Sequence, residues 1–121
     1  MIRALAAAGT APADTTAPTL AVAATYSSKV GGLLRSGVTL RATCSEGCSI
    51  TARILRGNRQ VGGGATVTRD LAGTSTLRVR FASAAKKQLA GSQRLTLFLV
   101  VSAQDASGNS VTKRIMLRAR R

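Results

Sequence analysis

Five stretches between Val38 and Leu117 carry an apolar residue at every second position, and glycine-rich or polar turns separate them. A period of two is buried by a strand lying against another layer, whereas a helix would place its apolar residues three and four apart. Val38, Leu40, Ala42 and Cys44 form one such face, with Thr39, Arg41 and Thr43 on the other. Ile50, Ala52 and Ile54 repeat the pattern around Thr51 and Arg53, and Leu77, Val79 and Phe81 repeat it around Arg78 and Arg80. Arg94 to Ala103 is apolar on both faces: Leu95, Leu97, Leu99, Val101 and Ala103 on one, Phe98 and Val100 on the other. That pattern predicts a central strand, the most buried of the set or one lying under a partner. In the last stretch Val111, Ile115 and Leu117 face inward and Thr112, Arg114, Met116 and Arg118 outward, while Lys113 falls in the inward register near the sheet rim. Leu20, Val22 and Ala24 alternate more weakly after Pro18 and predict a short edge strand.

The connections carry their own signals. Ser27 to Gly37 reads as a loop, and Ser45 to Gly47 as a tight turn that makes its flanking strands a hairpin. Asn58 and Gly62 to Gly64 read as a long irregular connection, which leaves Ala65 and Val67 as a weak edge strand. Ser83-Ala-Ala-Lys-Lys-Gln-Leu89 offers helix formers behind a capping serine, with Gly91 placed to stop them. Asp105-Ala-Ser-Gly-Asn109 is a turn in which Gly108 and Asn109 are both suited to positive φ. Together these predict an all-β fold over residues 18–119: an antiparallel β-sandwich of about seven strands with one short helix between two late strands. Residues 1–17, rich in Ala, Thr and Pro, read as a linker or the remnant of a secretory signal.

Composition narrows the chemistry. A chain of 121 residues has room for one core, and with Tyr26, Phe81 and Phe98 as the aromatics that core is aliphatic and thin. Eighteen Lys and Arg stand against Asp14, Glu46, Asp70 and Asp105, a net charge of +14 that draws the chain toward anionic partners. Arg41, Arg53, Arg78, Arg80, Arg114 and Arg118 project outward by the alternation and form the candidate polyanion-binding set, with a solvated basic face as the alternative. The scarcity of aromatics to stack on bases means that no specific nucleic acid is expected. No apolar run approaches the ~20 residues of a membrane-spanning helix, so insertion into a bilayer is not expected either.

Catalysis has little to build on. The chain has no histidine, so the commonest general base is missing, and its four carboxylates lie in the linker or in turns. Gly62-Gly-Gly64 is not followed by the Gly-Lys-Ser/Thr of a phosphate cradle. The expectation is a non-enzyme without a cofactor. Cys44-Ser-Glu-Gly-Cys48 places two cysteines across a turn at the ends of facing strands, which points to a disulfide and an oxidising compartment, with a pair of free thiols as the alternative. Zinc would need ligands the chain lacks, and a thioredoxin-like motif has two spacer residues rather than three. Asp105, Ser107 and Asn109 supply oxygens at alternate positions that could hold calcium if Asp14 approached, although the turn explains the same residues.

Two motifs then suggest a family. Asp14-Thr-Thr-Ala-Pro18 before the first strand and Ala103-Gln-Asp-Ala-Ser-Gly-Asn109 before the last resemble the opening and closing signatures of bacterial immunoglobulin-like modules, similar in outline to fibronectin type III domains. Cys44-Ser-Glu-Gly-Cys48 and the strand, short helix, strand order of residues 77–103 resemble a version found in secreted actinobacterial proteins. The resemblance spans residues 14–119. It implies a seven-stranded sandwich serving as a structural or spacer module of a secreted or cell-surface protein, in contact with neighbouring domains. It leaves open a contact between the basic strand faces and anionic cell-wall polymers; the alternative is a polyanion-binding protein, of nucleic acid or acidic glycan. The family's calcium sites carry over only to Asp105 and Asn109. In contrast to antibody-type domains, the chain has no Trp and no cysteine pair expected to bridge the two sheets.

Overall fold

Among the described residues the alternating stretches become strands, although the one around Leu77 and Val79 stops at Val79 and leaves Arg80 and Phe81 beyond it. The computed structural model describes residues 17–121, in the order β1 (Leu20–Thr25), α1 (Val30–Ser36), β2 (Val38–Cys44), β3 (Cys48–Arg56), β4 (Arg59–Arg69), β5 (Gly73–Val79), α2 (Ser83–Leu89), β6 (Arg94–Asp105) and β7 (Ser110–Arg120). The all-β class holds among these residues. Two antiparallel sheets form, with strand orders β1-β2-β5 and β4-β3-β6-β7. Their inner faces share one core: Leu40, Ile50, Ile54, Leu97, Leu99 and Leu117 are fully buried. Each such side chain contributes about 1.5–3 kcal/mol by leaving water, the main favourable term in a core this poor in aromatics. β6 is central, with β3 on one side and β7 on the other. On edge strand β7, Leu117 is buried whereas Val111 and Ile115, though in the inward register, are half-buried, and Lys113 is exposed.

The turn at Ser45 to Gly47 does not close a hairpin. β2 pairs with β1 and β5, while β3 pairs with β4 and β6, so the chain crosses there from one sheet to the other. Both strands keep the inward faces expected of them. The alternation cannot tell two strands side by side from two strands face to face, because the same residues are buried either way.

Three further connections differ from expectation. Residues 30–36 form α1 rather than loop, because Val30, Leu33 and Leu34 all reach the core from about two turns of helix and outweigh the cost of Gly31 and Gly32. Gly62 to Gly64 lie inside strand β4 instead of interrupting it, and the connection from β3 shrinks to Gly57 and Asn58. The ladder slips between Ala52 and Arg53 and between Ile54 and Leu55, the irregularity that accommodates the glycines. There the two sheets touch edge to edge: Gly63 N–H donates to Arg80 O and Ala82 N–H to Val61 O. A Cβ on Gly62 would sit 2.6 Å from Arg80 O, so only glycine fits that approach. Finally, α2 occupies Ser83–Leu89 as expected, but its cap is Ala82 rather than Ser83, with no side-chain hydrogen bond.

Both helices lie at the same end. α1 leads into the start of β2 and α2 leads from the end of β5 to the start of β6, and those strand ends adjoin through the Val38–Val79 pair. Val30, Leu33, Leu34, Ala85 and Leu89 plug the core from there.

Candidate functional site

At the end away from the helices, Cys44 closes β2 and Cys48 opens β3, and the two are joined in a disulfide with Cα atoms 6.8 Å apart. Because these strands belong to different sheets, the bond staples sheet to sheet. The expectation that no cysteine pair bridges the sheets is therefore wrong, although the bridge spans four residues of sequence rather than a long loop. Cys44 is paired in register with Leu20 and Gly73, and Cys48 with Arg69 and Asp105, so the staple reaches four neighbouring strands through four ladders, two in each sheet.

Asp105 sits beside it, almost wholly buried. Its Oδ1 accepts from the N–H groups of Ser107 and Asn109, each at 2.9 Å, and its Oδ2 accepts from the Asn109 side-chain amide at 3.2 Å. Asp105 N–H donates back to Asn109 O. The carboxylate thus organises the β6–β7 turn. Asp105 and Asn109, the calcium candidates, are brought together on each other, and Asp14 lies outside the described residues. Among the described residues no three metal-ligating side chains converge. Gly108 takes a positive φ of 89°, but Asn109 does not.

The six arginines divide. Arg41 and Arg78 lie on the outer face of the three-stranded sheet, where Thr39 pairs with Arg78 and Arg41 with Thr76; Arg80 follows just past the end of β5. Arg53, Arg114 and Arg118 lie on the outer face of the other sheet, across the core. Within that second set, Arg53 and Arg114 flank Val100 from either side, and the Arg114 guanidinium stands 4.7 Å from the centre of the Phe98 ring. All six are exposed, but they make two surfaces rather than one stripe.

One concavity is not revealed by reading the strands one at a time. At the helix-capped end, Ser28, Lys29, Arg94, Leu95, Thr96, Arg118, Ala119 and Arg120 line a cleft of about 510 Å³. Arg94 opens β6 and Arg120 closes β7, and the ladder sets them directly opposite each other, with Thr96 opposite Arg118 one step further in. The segment after β1 straps the free edge of β7: Arg120 N–H donates to Ser28 O at 2.9 Å, and Arg118 N–H reaches the Tyr26 hydroxyl at 3.4 Å. That strap delivers Lys29. Lys29, Arg94 and Arg120 were absent from the set read from the alternation, yet the turn at Asp105 to Asn109 contains the signal: a turn centred on residue 107 forces 94 opposite 120 and 96 opposite 118.

No helix among the described residues is long and apolar enough to cross a membrane. No family model, no curated protein and no solved structure matches the chain.

Proposed function

We propose that the chain is an immunoglobulin-like β-sandwich acting as a non-catalytic spacer module of a secreted or cell-surface protein. The observation that carries this reading is that the first strand opens and the last strand closes at opposite ends of the sandwich. Leu20, at the start of β1, pairs with Cys44 at the disulfide end, and Arg120, at the close of β7, pairs with Arg94 at the helix end. A module threaded from pole to pole separates its neighbours by its own length, and the 12 residues of β6 make that about 40 Å. Lettering the strands A to G in chain order supports the fold half of the proposal. The sheets become A-B-E and D-C-F-G, which differ from the immunoglobulin constant-type arrangement, ABED over CFG, by the transfer of strand D from one sheet edge to the other. The disulfide supports the compartment half, since such bonds persist outside reducing cytosol.

Two copies joined in tandem, studied by small-angle X-ray scattering, test the spacer role. An increase in maximum dimension of about 40 Å over one copy is expected; a side-by-side particle with no such increase refutes it. Alkylation of the protein as recovered from its own host, before and after reduction, tests the compartment: both cysteines should resist labelling until reduced, and labelling without reduction refutes an oxidising location.

A further inference from the structure

The cleft at the helix-capped end gathers positive charge, of which the Arg118 guanidinium also donates from Nε to Met116 Sδ at 3.2 Å. Four of its eight lining residues are cations, Lys29, Arg94, Arg118 and Arg120, and none is a carboxylate. Like charges directly opposite each other on neighbouring strands repel, and Arg94 faces Arg120 in that way. An anion seated between them reverses the sign of the interaction. The charge also continues beyond the cleft. Alternate residues of a strand lie on one face about 6.5–7 Å apart, so Arg120 and Arg118 lead along β7 to Arg114, a track of about 20 Å, with Arg53 across Val100 at its far side. A single small anion would fill only its mouth, whereas an extended polyanion matches its length.

We propose that this cleft is a binding site for an acidic polysaccharide, which places a sulfate, phosphate or carboxylate group between Arg94 and Arg120 and runs over Arg118 toward Arg114. Guanidinium forks take all three anions with paired hydrogen bonds. The Ser28 and Thr96 hydroxyls in the lining suit sugar hydroxyls. Nucleic acid fits less well: the lining has no aromatic side chain on which bases would stack, and duplex grooves are read by a protruding helix or ribbon rather than by a hollow. This site goes beyond the spacer reading and does not depend on it, since a cleft of this charge binds an acidic glycan whether or not the module separates neighbours.

The test is calorimetric titration of the full chain at physiological ionic strength with a heparin-derived oligosaccharide, an oligogalacturonate and, for comparison, an oligothymidylate. The double variant Arg94→Ser/Arg120→Ser is set against Arg41→Ser/Arg78→Ser, which removes the same charge from the opposite sheet. The cleft pair should weaken at least one acidic oligosaccharide about tenfold and the control pair less than about twofold. Equal losses in both would mean attraction to bulk charge alone and overturn the assignment, as would no binding of either oligosaccharide or tighter binding of the oligothymidylate. Should the cleft variant fold poorly, amide shifts of the unaltered chain decide the matter: perturbation centred on Thr96, Arg118 and Arg120 supports the site, and perturbation elsewhere refutes it.

Discussion

Single residues carry more of this fold than its plain composition suggests. Asp105 is a buried carboxylate that accepts from the Ser107 and Asn109 N–H groups and the Asn109 side-chain amide, bonds that organise one turn. Replacing it with alanine should cost about 2 kcal/mol, measured by urea unfolding, because charged acceptors lose more than neutral ones when deleted. Glycines divide by what surrounds them. Gly62→Ala drives a Cβ into the Arg80 carbonyl and should destabilise by about 1–3 kcal/mol. Gly31→Ala meets nothing within 4 Å inside α1 and should stabilise by about 0.5–1 kcal/mol. Opposite signs in the same unfolding assay are the expected outcome. At this scale the sequence is legible where a residue acts through its neighbours in the chain: the turn around Asp105 follows from Asp, Gly and Asn at their spacing. It is illegible where a residue acts through distant backbone, as Gly62 does against Arg80.

Elements were legible in proportion to their periodicity. The inward faces of β2, β3, β5 and β6 follow from alternation, and α2 from a run of good helix formers. α1 carries two glycines and gains its stability from tertiary burial of Val30, Leu33 and Leu34, which no local propensity reports. Pairing partners are a separate question from inward faces, which is why a sheet-to-sheet crossing at Ser45 to Gly47 reads like a hairpin. The consequence falls on the disulfide. Closing a five-residue loop stabilises by about 2 kcal/mol in the chain-entropy model, and the Cys44→Ala/Cys48→Ala variant should lose that amount while remaining folded. Hydroxyl pairs on the outer faces, Thr43 with Thr74 at 2.7 Å and Ser49 with Thr68 at 3.1 Å, add cross-strand ties close to the same end. The cationic cleft also belongs to this scale, since it exists only once the β6–β7 register and the Ser28–Lys29 strap are known.

For the whole molecule, charge and topology set the behaviour. A net charge of +14 on 121 residues opposes compaction by self-repulsion. Adding sodium chloride should therefore raise the thermal midpoint as screening grows, and a midpoint that falls would mean that attractive pairs dominate instead. The poles differ in construction: one is closed by a covalent bond and a buried carboxylate, the other by two helices beside a basic cleft. That polarity rests on a single topological statement, that β2 and β3 lie in opposite sheets. Backbone nuclear Overhauser contacts in the labelled protein test it directly. Contacts across the Ala42–Ser75 and Ile50–Ala103 pairs are expected; a ladder of amide contacts joining Ala42 to Ile50, the hairpin pairing, would contradict it.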